Sequence, residues 1–140
     1  MMRNAPVSGL SVPVVRFAFI RWFALLALCA AYLQGGLVKL FDFGGAIAEM
    51  QHFGLSPAAP MAAAVIILEL GASALILSGR FRWAGALALA LFTVVANFMA
   101  NAFWQASGHD RAMLMNGFFE HIGLAGAFIY VAWDDLKGRA

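Results

Sequence analysis

The sequence predicts an all-α membrane protein: a bundle of four transmembrane helices, both termini cytoplasmic, with a short interfacial helix between the first and second spans. Three observations carry this expectation. Of the 140 residues 64% are hydrophobic and 11% charged, where a soluble domain is about half apolar and a quarter charged. The apolar residues gather into four stretches, each long enough to cross a bilayer, which takes about 20 residues of helix. The cations also lie unevenly about those stretches. Four spans put Arg3, Arg16, Arg21, Arg80, Arg82, Lys137 and Arg139 on one side and only Lys39 and Arg111 on the other. Basic loops stay in the cytoplasm, so the first side is the inner one. The net charge of +2 is spread through these loops and does not cluster as a nucleic-acid footprint would.

The elements follow in order. Residues 1–19 read as an N-terminal tail. Pro6, Gly9 and Pro13 break any periodicity up to Val15, as in a mobile tail or an interfacial lead-in. Residues 20–134 form one membrane domain and residues 135–140 a charged C-terminal tail. The first span covers Ile20 to Val38, with Arg21 and Trp22 at its inner interface, Gln34 as its polar interior residue, and Ala27, Ala30 and Ala31 near the same stripe. Lys39 closes it and can snorkel to the surface. The segment 44–53 is too short to cross; Ile47 and Met50, following Phe43 at helical spacing, suit a helix lying in the interface. The second span covers Met61 to Leu77 with Glu69 near its middle, and Gly79-Arg80-Phe81-Arg82 turns the chain. The third, Trp83 to Asn101, sets Thr93, Asn97 and Asn101 four apart on one stripe. An aromatic pair, Phe103-Trp104, and a polar loop, Gln105 to Arg111, lead to the last apolar run, which ends at Trp133.

That last run opens with Asn116, Glu120 and His121. Polar groups at membrane depth are costly and mark functional sites by default. Asn116, Glu120, Gly123 and Ala127 share a helix face, and small residues there admit a close neighbour. Gln34, Asn97, Asn101, Asn116, Glu120 and His121 fall in the outer half of the bilayer, Glu69 lies near the midplane, and Lys39 stands at the rim. The expectation is that Glu69 and Glu120 face a common interior site, with Asn97, Asn101 and Asn116 beside them. Two carboxyls in a low-dielectric site cannot both ionise cheaply, so at least one would hold a proton. For each amide alone, interhelical hydrogen bonding is the plainer reading.

Several chemistries find no support. Cys29 is the one cysteine, which leaves no CxxC relay. His52, His109 and His121 have irregular spacing with no HxxxH pair, so no metal is expected. There is no glycine-rich phosphate loop, nucleophile triad or bis-histidine haem pattern.

The motifs Gly36-x-x-Lys39-Leu40-Phe41-Asp42, Leu68-Glu69-Leu70-Gly71, Phe103-Trp104 and Asn116-x-x-x-Glu120-His121-x-Gly123-Leu124-x-Gly126 stand in an order and spacing that resembles the DoxX family, from about Arg21 to Asp134. The resemblance implies a small four-helix protein of the bacterial inner membrane. The family name comes from a subunit of a thiosulfate:quinone oxidoreductase, and other members are linked to membrane redox complexes. Asn101 departs from the pattern, since many relatives carry a histidine shortly before the Phe-Trp pair. The lone cysteine argues against sulfur transfer on this chain. The expectation is therefore a membrane redox subunit that binds quinone or quinol in the outer half of the bundle, walled by Phe92, Phe98, Phe118 and Phe119. Its electron donor or acceptor would be a protein partner. A non-catalytic anchor or assembly subunit is the alternative, and self-association stays open. Transport is disfavoured by the lack of an internal repeat or broken-helix pair.

Overall fold

The computed structural model describes Ser11–Ala140, with side chains from Phe17 onward. Expectations for residues 1–10, Arg3 among them, lie outside the described residues. Five helices follow one another: α1 Ser11–Phe41, α2 Phe43–His52, α3 Ala58–Ser78, α4 Arg82–Ala100 and α5 Gly108–Lys137, with one 3-10 turn at Phe103–Gln105 between the last two. There is no strand among the described residues. Four of the helices, all but α2, are long and apolar enough to cross a membrane.

Two boundaries differ from expectation. α1 begins nine residues before Ile20, because Pro13 falls in its first turn, where the missing N–H forfeits no helical bond. α5 begins at Gly108 rather than near Asn116, with Asp110 in its first turn, where a carboxylate suits the positive end of the helix dipole. The expected polar loop is thereby half helix. Between α1 and α2 the chain turns at Asp42, whose side chain accepts from the Gly45 N–H at 2.9 Å and caps α2. Gly79, at φ 77, ends α3 in the left-handed conformation that glycine takes without steric cost.

α3 is the hub. α1, α4 and, across its outer end, α2 all pack on it, while α5 packs chiefly on α4. Glycines set the closest approaches. A Cβ on Gly36 would lie 2.8 Å from Leu70 Cγ, and one on Gly85 would lie 2.6 Å from the Ala72 carbonyl oxygen. Toward the inner end the core is closed by Leu25, Cys29, Ile76, Leu89, Phe128 and Ala132. A smaller cluster of Ala46, Met50 and Ala62 holds α2 to α3. At the inner surface Arg21 reaches Asp134 across 2.8 Å, joining α1 to α5. Asp135 accepts from the Trp83 N–H at 3.2 Å and from Arg139 at 3.0 Å.

Candidate functional site

The site grows from the α1–α3 crossing. Because Gly35 and Gly36 carry no side chains, α1 lies close to Glu69: a Cβ on Gly35 would be 3.5 Å from Glu69 Oε1. Lys39, one turn further along α1, turns its ammonium inward. Its Nζ stands 3.4 Å from Glu69 Oε2 and 3.8 Å from Glu49 Oε2. The expected snorkelling of Lys39 to the surface therefore does not occur. Its side chain is 15% exposed, that of Glu69 7%, and that of Glu49, on α2, 45%. A buried carboxylate needs a charged partner, and Lys39 supplies it.

This pair lines a partly open cavity of about 530 Å³ between α1, α2, α3 and α4. Tyr32, Lys39, Met50, Glu69, Phe92 and His121 are among the residues that border it. Tyr32 and Thr93 share a hydrogen bond across the α1–α4 contact. Thr93 gives its single hydroxyl hydrogen to the Leu89 carbonyl at 2.6 Å, so Tyr32 is the donor in that bond. His121 reaches the cavity from α5, with Nδ1 2.7 Å from the Gly117 carbonyl oxygen. A carbonyl only accepts, so Nδ1 carries the hydrogen, and a neutral ring then offers the Nε2 lone pair to a ligand.

The other expected site residues are placed elsewhere. Asn97, 1% exposed, donates to the Phe118 carbonyl at 2.9 Å and accepts from Asn101 Nδ2 at 2.9 Å. Asn97 thus joins α4 to α5, and Asn101, at the end of α4, is spent on Asn97. Gln34, Asn116 and Glu120 are exposed and face away from the bundle. The expected Glu69–Glu120 site is thus overturned. On α5 the packed stripe is Ala125, Phe128 and Ala132, with Phe118 and His121 partly buried along it. The face bearing Asn116, Glu120, Gly123 and Ala127 is turned outward. The small residues on that face suggested helix packing, but the larger apolar stripe buries more surface against α4 and prevails. On α1 the buried stripe runs through Leu25, Cys29, Tyr32 and Gly36, which sends Gln34 to the far side. Of the four expected aromatic walls, Phe92 borders the cavity. Phe118 instead packs edge-to-face against Phe98, Phe103 and Trp104 at 5.2, 5.5 and 5.8 Å.

Sequence reasoning missed Glu49 and Tyr32. Both left a signal. Tyr32 precedes Lys39 by seven residues, two helical turns, and so shares its stripe. Glu49, ten residues after Lys39, lies on a short helix that can fold back over α3 toward that lysine. Among the described residues, no three histidine, cysteine or acidic side chains are grouped as a metal ion requires.

The DoxX family model matches residues 19–102, a stretch that holds Lys39, Glu49 and Glu69. The chain is 27% identical over 111 residues to the inner membrane protein YphA of Escherichia coli (strain K12), covering 78% of each chain. No solved structure matches. Four spanning-length helices, the short helix between the first two, and a family match over more than half of the length agree with one another: this chain belongs to the DoxX family and is a multi-pass protein of the bacterial inner membrane.

Proposed function

We propose that this protein is the membrane subunit of a redox system and binds quinone or quinol in the cavity beside Glu69. The supporting observation is the cavity's character: about 530 Å³, largely apolar, with one buried ion pair, Lys39–Glu69, in its wall. Ligand pockets are typically ~300–1,000 Å³, apolar, with a few placed polar groups. A quinone ring and the start of its tail suit apolar walls such as Met50 and Phe92. Lys39 can donate to a carbonyl oxygen, and His121 Nε2 can accept from a hydroxyl. Glu69 is the group placed to take a proton that a bound quinol gives up. Electrons pass to or from a partner protein, since the sequence carries no haem or cluster ligand pattern.

The test is saturable binding of a short-tailed ubiquinone to purified protein in nanodiscs. Glu69→Gln and Lys39→Met should each weaken it by about tenfold or more, the loss of one charge-assisted hydrogen bond of ~1.5–3 kcal/mol. Absence of binding, or wild-type affinity in both variants, refutes the reading.

One observation favours the second reading, a non-catalytic anchor or assembly subunit. Asn116 and Glu120 lie exposed on α5, and polar groups on an outer membrane face are suited to meet a neighbouring helix. On that reading, replacing both by leucine reduces the size of the native complex in digitonin extracts and leaves quinone binding intact.

A further inference from the structure

Resting on the cavity just assigned, but not on the identity of what it binds, we propose that Glu69, Lys39 and Glu49 form a proton path that opens only to the outer side of the membrane. Exposure rises in steps along the three side chains, from 7% at Glu69 through 15% at Lys39 to 45% at Glu49. Lys39 Nζ stands between the two carboxylates, 3.4 Å from one and 3.8 Å from the other. Lys39 donates to Glu69, and a small movement of this long, flexible side chain brings its ammonium within hydrogen-bond reach of Glu49 instead. Glu49 lies on α2, at the bundle end opposite to Arg21, Arg82 and Arg139. The charge asymmetry makes that end the extracytoplasmic one.

The way inward is shut. Below Glu69 on α3 come Ser73 and Ile76, both fully buried, and around them Cys29, Leu89 and Phe128, also fully buried. Ser73 gives its hydroxyl hydrogen to the Glu69 backbone carbonyl at 2.7 Å and cannot also donate to the carboxylate. Lys39 is 18 residues along α1 from Arg21, about 27 Å of helix, so the inner charged cluster does not reach the site. The ionisable groups around Glu69 are Lys39, Tyr32 and Cys29 on α1, Glu49 on α2, and His121 on α5 across the cavity. α4 presents Thr93, whose hydrogen is committed to Leu89.

The transfer balances. Glu69 takes a proton from a ligand hydroxyl or a cavity water. Lys39 passes one of its own protons to Glu49 and accepts the one on Glu69, and Glu49 releases its proton to outer water. The three groups return to two carboxylates and one ammonium. Whatever acid–base chemistry occurs in the cavity therefore exchanges protons with the extracytoplasmic side.

The experiment uses the full chain in proteoliposomes of determined orientation, without quinone. The pH is stepped on one side at a time while the other is clamped, and the infrared carboxyl band that disappears in Glu69→Gln is followed. The band should follow the outer step and be insensitive to the inner one. Glu49→Gln should slow the outer response by about a hundredfold or more, the range for loss of a proton-transfer group. Glu120→Gln, on the outward face, should leave it unchanged. A response to the inner step, an unslowed response in Glu49→Gln, or no Glu69-dependent band from about pH 4 to 10 overturns the proposal. A protein that shows one-sided exchange but binds no ubiquinone refutes the redox reading and leaves this one standing.

Discussion

Replacing Gly85 by alanine should destabilise the bundle measurably, although alanine is the better helix former. The added Cβ would stand 2.6 Å from the Ala72 carbonyl oxygen, 3.0 Å from Leu75 Cβ and 3.2 Å from Ile76 Cγ1. Ordinary contact begins near 3.4 Å, so α4 must withdraw from α3 by about 0.8 Å. The first obstacle is backbone, which cannot rotate aside. Overpacking of this kind costs about 1–3 kcal/mol, against a gain of about 1 kcal/mol from glycine to alanine in a helix. The net expectation is a loss of up to about 2 kcal/mol, or several degrees in Tm for a domain of this size. Gly71 is the internal control: it lies in α3, and its added Cβ meets nothing within 4 Å. Gly71→Ala should be neutral or slightly stabilising. Thermal unfolding of both variants in one detergent, followed by loss of helical circular dichroism, decides the matter. If Gly85→Ala is as stable as Gly71→Ala, the glycine does not set the α3–α4 distance.

Three further outcomes follow from the same geometry. Asn97→Asp keeps the shape but turns a donor facing the Phe118 carbonyl into an acceptor, and should cost ~1–3 kcal/mol, read by the same unfolding assay; Asn97→Ala should cost a similar amount through the cavity it leaves. Tyr32→Phe removes the donor to Thr93 while retaining the ring packed on Phe128 at 5.3 Å. It should cost no more than about 1.5 kcal/mol and weaken ubiquinone binding less than Glu69→Gln does. Arg21→Gln breaks an ion pair whose two side chains are about half exposed, so the expected change is below about 1 kcal/mol, and addition of salt to the wild type should reproduce most of it.

Helix number, order and inner charge were legible because they depend on quantities that are additive along the chain: apolar length and the side on which cations fall. The rotation of each helix was not. Two stripes on α5 competed for the interior, one polar with small residues and one built on Phe118, His121, Ala125 and Phe128. Sequence alone gives no measure of how closely α4 approaches, and that distance decides which stripe is buried. Glu69 and Lys39 were singled out because an ionisable group in an apolar helix must answer to something nearby. Their pairing depended on Gly36 letting α1 settle against Leu70, a three-dimensional fact with no linear signature. Glu49 was hidden for a related reason: a ten-residue helix reads as surface until its position over α3 is known.

The arrangement in which α3 packs on α1, α2 and α4, and α5 chiefly on α4, has a consequence for how the chain reaches its native state. α4 and α5 are joined by a seven-residue connection, Asn101–Ser107, and Asn97 joins them to each other, so this pair can associate as soon as both have left the translocation machinery. α1, synthesised first, has its main helical neighbour only once α2 has passed and α3 has inserted. Until then the Lys39 ammonium lacks Glu69, and insertion of the first helix is the step at which an uncompensated charge at its outer end is most exposed. Docking of α1 against α3 relieves that charge, and the cavity wall becomes complete when α4 closes on the same hub. Most native contacts thus join helices close in sequence, the pattern of local topology associated with rapid folding.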